Sequence, residues 1–174
     1  MKTTIALFRG INVGRTRSLP MKDLKQILEK LGYQNIRTYI QSGNVVFESN
    51  KACSEKEAAT ISDAVEDEFG FRPSVLLLSE KDLKAALDGN PFPTSVGKHL
   101  HFNFLETQPV APELETLARL KSETEQFKLA GRVFYLYAPD GIGRSKLAEK
   151  VERCLGVAAT GRNFNSVNAI LKML

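Results

Sequence analysis

The chain of 174 residues is 43% hydrophobic and 25% charged, with a formal net charge of +4; this is the balance of a globular protein and excludes a disordered or fibrous one. No apolar run approaches the roughly 20 residues of a membrane span, and Met1-Lys2-Thr3-Thr4-Ile5 lacks the apolar stretch and cleavage site of a secretory leader. Cys53 and Cys154 are a lone, distant pair with no ligand-like spacing and no disulfide framework, so the expected setting is the reducing cytoplasm, with no membrane partner.

Ile5-Ala6-Leu7-Phe8 reads as a short buried strand. A glycine-rich turn, Arg9-Gly10-Ile11-Asn12-Val13-Gly14-Arg15, follows it. Pro20 suits a first helical position, Met21, Leu24, Ile27, Leu28 and Leu31 keep helical spacing, and Gly32 ends that helix. Ile36, Thr38 and Ile40 alternate with Arg37, Tyr39 and Gln41 as a strand, and Ser42-Gly43-Asn44 turns it into Val45-Val46-Phe47. Ser54 and Glu57 form a capping box for a helix carrying Ile61, Val65 and Phe69 and closed by Gly70. Val75 to Leu78 is another buried strand. Residues 1–79 therefore read β-α-β-β-α-β, the ferredoxin-like, split βαβ order.

The order then recurs over 80–174. A linking helix, Ser79 to Asp88, leads through a Pro- and Gly-rich turn to the alternating strand Leu100, Phe102, Phe104. A helix over Pro112 to Lys121, a hairpin across Ala130-Gly131-Arg132, a helix with Leu147, Val151, Cys154 and Leu155, a short strand near Ala158 to Arg162 and a terminal helix complete it. The predicted fold class is α+β: two packed ferredoxin-like units with a linking helix and an additional C-terminal helix. Gly43-Asn44-Val45-Val46-Phe47 overlays on Gly131-Arg132-Val133-Phe134-Tyr135, which fits a duplication.

Arg9-Gly10-Ile11-Asn12-Val13-Gly14, Leu19-Pro20-Met21 and Arg37-Thr38-Tyr39-Ile40-Gln41-Ser42-Gly43-Asn44-Val45-Val46-Phe47 together resemble the opening signature of a bacterial family, the domain of unknown function 1697. Gly141-Ile142-Gly143-Arg144-Ser145-Lys146-Leu147 and Arg162-Asn163-Phe164-Asn165-Ser166-Val167 are similar to its second signature. The resemblance spans nearly the whole chain and implies two packed ferredoxin-like units. It implies no established chemistry. This chain departs from the family pattern at Arg15-Thr16-Arg17, where glycine followed by Lys and Asn is usual, and at Phe164, where Trp is usual.

Charge is segregated along the sequence: Arg9, Arg15, Arg17 and Lys22 occupy a stretch without an acid, while acids collect between Glu48 and Glu68. The first turn has the ingredients of a phosphate cradle: glycines that admit an anion to backbone N–H groups, Arg9 to bind two oxygens, Asn12 to donate its amide and a helix start beyond. The structural alternative is a loop whose glycines serve their dihedrals and whose Asn bonds its own backbone. Arg144, Ser145 and Lys146 repeat the cationic helix start, against the alternative of an ordinary cap, and Arg162-Asn163 is a third such turn. Gln41, Ser42 and Asn44 make a polar hairpin tip suited to a nucleobase or sugar edge, or simply a turn.

Catalytic machinery is sparse. His99 and His101 alternate on one predicted strand, but with no third ligand an exposed pair is the better account than a metal, and no cofactor is expected. Three classes remain. One binds a phosphorylated small molecule or nucleic acid through the basic turns. One hydrolyses a small acyl or ester phosphate, with Arg9 and Asn44 in roles borrowed by analogy from acylphosphatase. One is an interaction or homodimerisation module whose sheets pair at their edges.

Overall fold

The structure, a computed structural model, describes residues 1–174. It is mixed α+β, with two four-stranded antiparallel sheets and six α-helices. Two compact units divide the chain: Met1–Ala85 with Ala169–Leu174, and Ala86–Asn168.

In the first unit the elements run β1 (Lys2–Arg9), α1 (Met21–Lys30), β2 (Gln34–Tyr39), β3 (Asn44–Ser49), α2 (Glu55–Phe69) and β4 (Ser74–Ser79), followed by α3 (Glu80–Asp88), within which the division between the units falls. The sheet order is β2-β3-β1-β4, so β1 is central, with Ile5 opposite Val46 on one side and Leu78 on the other. Its alternate residues separate by face. Ala6 and Phe8 join Val45, Phe47, Leu77, the α1 residues Leu24, Ile27 and Leu28, and the α2 residues Ile61 and Val65 in one core. Ile5 and Leu7 point to the other face and are equally buried. Burial on both faces is why β1 reads as a continuous apolar run rather than an alternating one.

The caps follow elementary chemistry. Ser54 caps α2 by accepting from the Glu57 N–H at 3.3 Å, and Gly70 closes it in the left-handed conformation. The reciprocal half of the expected capping box is not made. Glu57 instead accepts from the Tyr33 hydroxyl and meets Lys51 at 3.1 Å. Pro20 stands one residue before α1, its carbonyl accepting from the Asp23 and Leu24 N–H groups. A larger departure is at Ile40. The strand β2 ends at Tyr39, and Ile40 turns the chain with φ 50°.

The second unit contains β5 (Leu100–Leu105), α4 (Leu114–Leu120), β6 (Gln126–Ala130), β7 (Val133–Tyr137), α5 (Lys146–Leu155) and β8 (Ala159–Asn163), and α6 (Phe164–Leu171) begins in it. Its sheet order is β6-β7-β5-β8. Leu105, Phe134 and Leu136 pack with Leu117 of α4 and with Leu147, Val151, Cys154 and Leu155 of α5. His99 lies in a short 3-10 turn, Gly97–His99, rather than in the strand. Its carbonyl accepts from the Ala138 N–H at 2.8 Å, and only His101 is on β5. The expected exposed pair on one strand is therefore not formed.

A candidate anion-binding cup in the first unit

The loop from β1 to α1 is anchored at both ends by Ile11 and Leu19, which are buried. Between them it doubles back as a miniature hairpin. Val13 bridges Thr16 across the Gly14-Arg15 turn, and the Asn12 N–H donates to the Arg17 carbonyl at 3.0 Å. Four residues here need positive φ: Gly10, Asn12, Gly14 and Arg17. Glycine accepts this at no steric cost and asparagine at little. The Arg17 side chain lies over Gly10, where a Cβ would meet its Nη1 at 3.3 Å.

Asn12 joins this loop to the β2–β3 turn. Its Nδ2 donates to the Leu19 carbonyl and to the Gln41 carbonyl, both at 2.8 Å, and its Oδ1 accepts from the Leu19 N–H at 2.7 Å. At about 1 kcal/mol for each hydrogen bond, this one amide supplies about 3 kcal/mol of local cohesion. Gly43 brings the same turn against β1. The Phe8 N–H donates to the Gly43 carbonyl at 2.8 Å, and a Cβ on Gly43 would fall 2.5 Å from Phe8 Cβ and 2.7 Å from Ile11 Cδ1. The result is an open cup of about 500 Å³ lined by Asn12, Gly14, Arg15, Ser18 and Gln41. No residue of α1 lines it, so the helix dipole is not what the cup offers.

The sequence candidates fall in different places. Asn12 and Gln41 line the cup, and Ser42 is exposed on the adjoining turn. Asn44 is fully buried, its Nδ2 donating to the Tyr39 carbonyl at 3.1 Å and to Ser42 Oγ at 2.9 Å. Arg9 is exposed at the end of β1, opposite Ser74 on β4. In the second unit Arg144 and Lys146 are exposed, while Ser145 is buried and caps α5 by accepting from the Ala148 N–H at 3.0 Å. Asn163 Oδ1 accepts from the Ser166 N–H at 3.0 Å at the start of α6. Arg162 is half-buried and donates to the Gly161 carbonyl at 2.9 Å; burial lowers its guanidinium to about 10.

Arg15, on the cup wall, is legible in the sequence as the end of the glycine-rich turn and part of the acid-free cationic run, whereas nothing in the sequence marks Ser18. Val13 and Ile40 are 69% and 52% exposed. Ile40 is β-branched and left-handed, an outlier that costs roughly 1–2 kcal/mol. A second open cup of about 680 Å³ lies at the β2 edge, where Lys25 and Arg37 are offset by Glu29 and Glu48, so it favours neither sign of charge.

These turns are also what the family comparison covers. A family model described as "Protein of unknown function (DUF1697)" matches residues 1–135. The chain belongs to the DUF1697 family. The matched DUF1697 segment includes the whole cup and stops short of the Gly141–Lys146 and Arg162–Asn163 turns. In structure the chain is similar to the conserved bacterial protein SP0830 from Streptococcus pneumoniae, with a TM-score of 0.71 and 24% identity over 99% of this chain and 98% of that one. That likeness shows a common fold. No curated protein matches the chain. No group of three or more His, Cys, Asp or Glu side chains is placed to hold a metal ion, and no helix is long and apolar enough to cross a membrane.

Proposed function

We propose that the cup of the first unit binds a small phosphorylated ligand. The observation that carries this reading is the Asn12 clamp, which holds the Arg15 loop and the Gln41 turn as the two walls of one cup. Arg15 supplies charge, Ser18 and Gln41 supply neutral donors, and the acid-free stretch from Arg9 to Lys22 keeps the local potential positive. A volume of about 500 Å³ suits a small molecule rather than a polymer track. A hydrolase in which Asn44 positions water draws no support from this geometry, because the Asn44 amide is buried within its own turn.

We also infer that each unit is a ferredoxin-like plait and that the second repeats the first. The support is topological: β2-β3-β1-β4 maps element for element onto β6-β7-β5-β8. A cytoplasmic setting is part of the same proposal, supported by the absence of a disulfide between Cys53, which is exposed, and Cys154, which is buried.

Thermal denaturation with added glycerol 3-phosphate tests the cup, since a ligand of the native state raises its melting temperature. The wild-type protein is expected to be stabilised, Arg15→Ala to lose most of that shift, and Arg144→Ala in the second unit to keep it. Loss in Arg144→Ala with retention in Arg15→Ala would move the site out of the first unit and end this reading.

A further inference from the structure

We propose that the open cup at the β2 edge of the first unit binds a small zwitterion, an α-amino acid with an apolar side chain. This site is separate from the phosphate cup and shares no lining residue with it. Its charged wall is mixed: Lys25 and Glu29 stand about one turn apart on α1, Arg37 lies on β2 and Glu48 on β3.

These charges share a cup without neutralising one another. Elsewhere in the unit opposite charges close into ion pairs, Lys30 with Glu68 and Lys51 with Glu57, but Lys25, Glu29, Arg37 and Glu48 form none. Lys25 and Glu29 are exposed, where water solvates them. Arg37 is placed differently. It is half-buried, and its Nε is buried without a hydrogen-bond partner. A guanidinium N–H removed from water and left without an acceptor is unfavourable. A carboxylate relieves it best, because its two oxygens match two N–H groups of the fork once the guanidinium turns Nε toward the cup.

The backbone of β2 prepares the opposite charge. Between the pairs Gln34–Glu48 and Arg37–Val46 the strand holds one residue more than β3, a bulge, and Asn35 adopts φ 50° within it. The Asn35 Nδ2 donates to Glu48 Oε2 at 3.0 Å, which fixes one carboxylate oxygen and leaves Oε1 for a cation. Bulges at sheet edges re-aim side chains in this way beside binding sites. Such a wall suits a ligand that carries both signs: its carboxylate goes to Arg37 and Lys25, its ammonium to Glu48 and Glu29. Leu174, half-buried on the same wall, favours an aliphatic side chain over a charged one. A volume of about 680 Å³ has room for such a molecule.

Calorimetric titration with three molecules of one carbon skeleton tests this: L-leucine, 4-methylpentanoate, which lacks the ammonium, and 3-methylbutylamine, which lacks the carboxylate. L-leucine is expected to bind the wild-type protein at least about tenfold more tightly than either. Glu48→Gln is expected to bring L-leucine toward the level of 4-methylpentanoate while leaving 4-methylpentanoate itself unweakened. Arg37→Gln is expected to do the converse, lowering L-leucine toward 3-methylbutylamine. Where Arg37→Gln does not fold, Lys25→Gln, at an exposed position of α1, reads the same carboxylate arm through a smaller loss. No binding of L-leucine at millimolar concentration, equal binding of the three molecules, or a preference that survives in both Glu48→Gln and the carboxylate-arm variant overturns the inference. None of these results touches the phosphate cup, which Arg15→Ala tests by itself.

Discussion

His101 on β5 shows how one residue couples the second unit to pH. It pairs with Leu136 on β7 and Asn163 on β8, and its Nε2 is buried without a hydrogen-bond partner. Burial is the largest influence on the ring and lowers its pKa, opposed by a backbone hydrogen bond at Lys98 and assisted by the charge of His99. The unfolded chain takes up this proton near the ordinary value of about 6.5, before the folded protein does. Stability due to His101 is therefore complete above that pH and is lost as pH falls toward the lowered folded value. Melting curves from pH 7.5 to 5.5 are expected to fall more steeply for wild type than for His101→Gln; parallel curves would show that the ring titrates alike in both states. The same scale explains what could be read at the candidate site. Asn12 stood out in the sequence because an amide between glycines has two uses, donating to a ligand or to its own loop. The structure shows the second use, three bonds that hold the walls together. Ile40 could not be read as a turn residue, because a β-branched side chain in alternating sequence signals a strand.

At the scale of elements, two hairpins with similar sequences are held by different physics. Gly43 and Gly131 are both left-handed, and each precedes a central strand of its sheet. Gly43 lies against Phe8 and Ile11, whereas nothing approaches within 4 Å of a Cβ built on Gly131. Gly131→Ala is expected to cost only its backbone strain, roughly 1–2 kcal/mol. Gly43→Ala adds a steric conflict with the side chains of Phe8 and Ile11 and is expected to cost about 3 kcal/mol or more. Urea denaturation of the two variants checks the contrast; equal midpoints would mean that the Gly43 turn moves aside freely. Most of the element order was legible for a related reason. Apolar spacing marked α1, α2 and α5, Ser54 and Gly70 punctuated α2, and short apolar runs marked β1 and β4. What escaped were choices between competing partners: Glu57 binding Tyr33 and Lys51 instead of completing its capping box, and His99 closing a 3-10 turn instead of opening β5. Such choices depend on neighbours remote in sequence, which local spacing does not encode.

For the whole molecule, the uneven distribution of charge matters more than the net +4. Four of the acids of α2 have cations nearby: Lys30 meets Glu68 at 2.6 Å, Lys51 meets Glu57 at 3.1 Å, and Arg72 approaches Asp63 and Glu66. Exposed pairs of this kind add little stability, but they cancel one another's field at a distance. The stretch from Arg9 to Lys22 carries Arg9, Arg15, Arg17 and Lys22 and has no acid of its own. Its extent decides the kind of ligand. A protein that tracks a nucleic acid through six to ten phosphates loses about 10³–10⁵ in affinity between 50 and 200 mM salt. If the cup takes a single phosphate, as proposed, with Arg15 on its wall and Arg17 on the same loop, screening of so few charges is expected to weaken phenyl phosphate binding by less than about tenfold over that range. Titrations of phenyl phosphate and of a single-stranded 20-mer oligonucleotide at the two salt concentrations distinguish the alternatives. A 20-mer that binds far more tightly than phenyl phosphate at 50 mM and loses about a thousandfold at 200 mM would replace the small-molecule cup with a polymer-binding surface. Shallow salt dependence of phenyl phosphate, with no added gain from the longer strand, is the outcome that the charge distribution predicts.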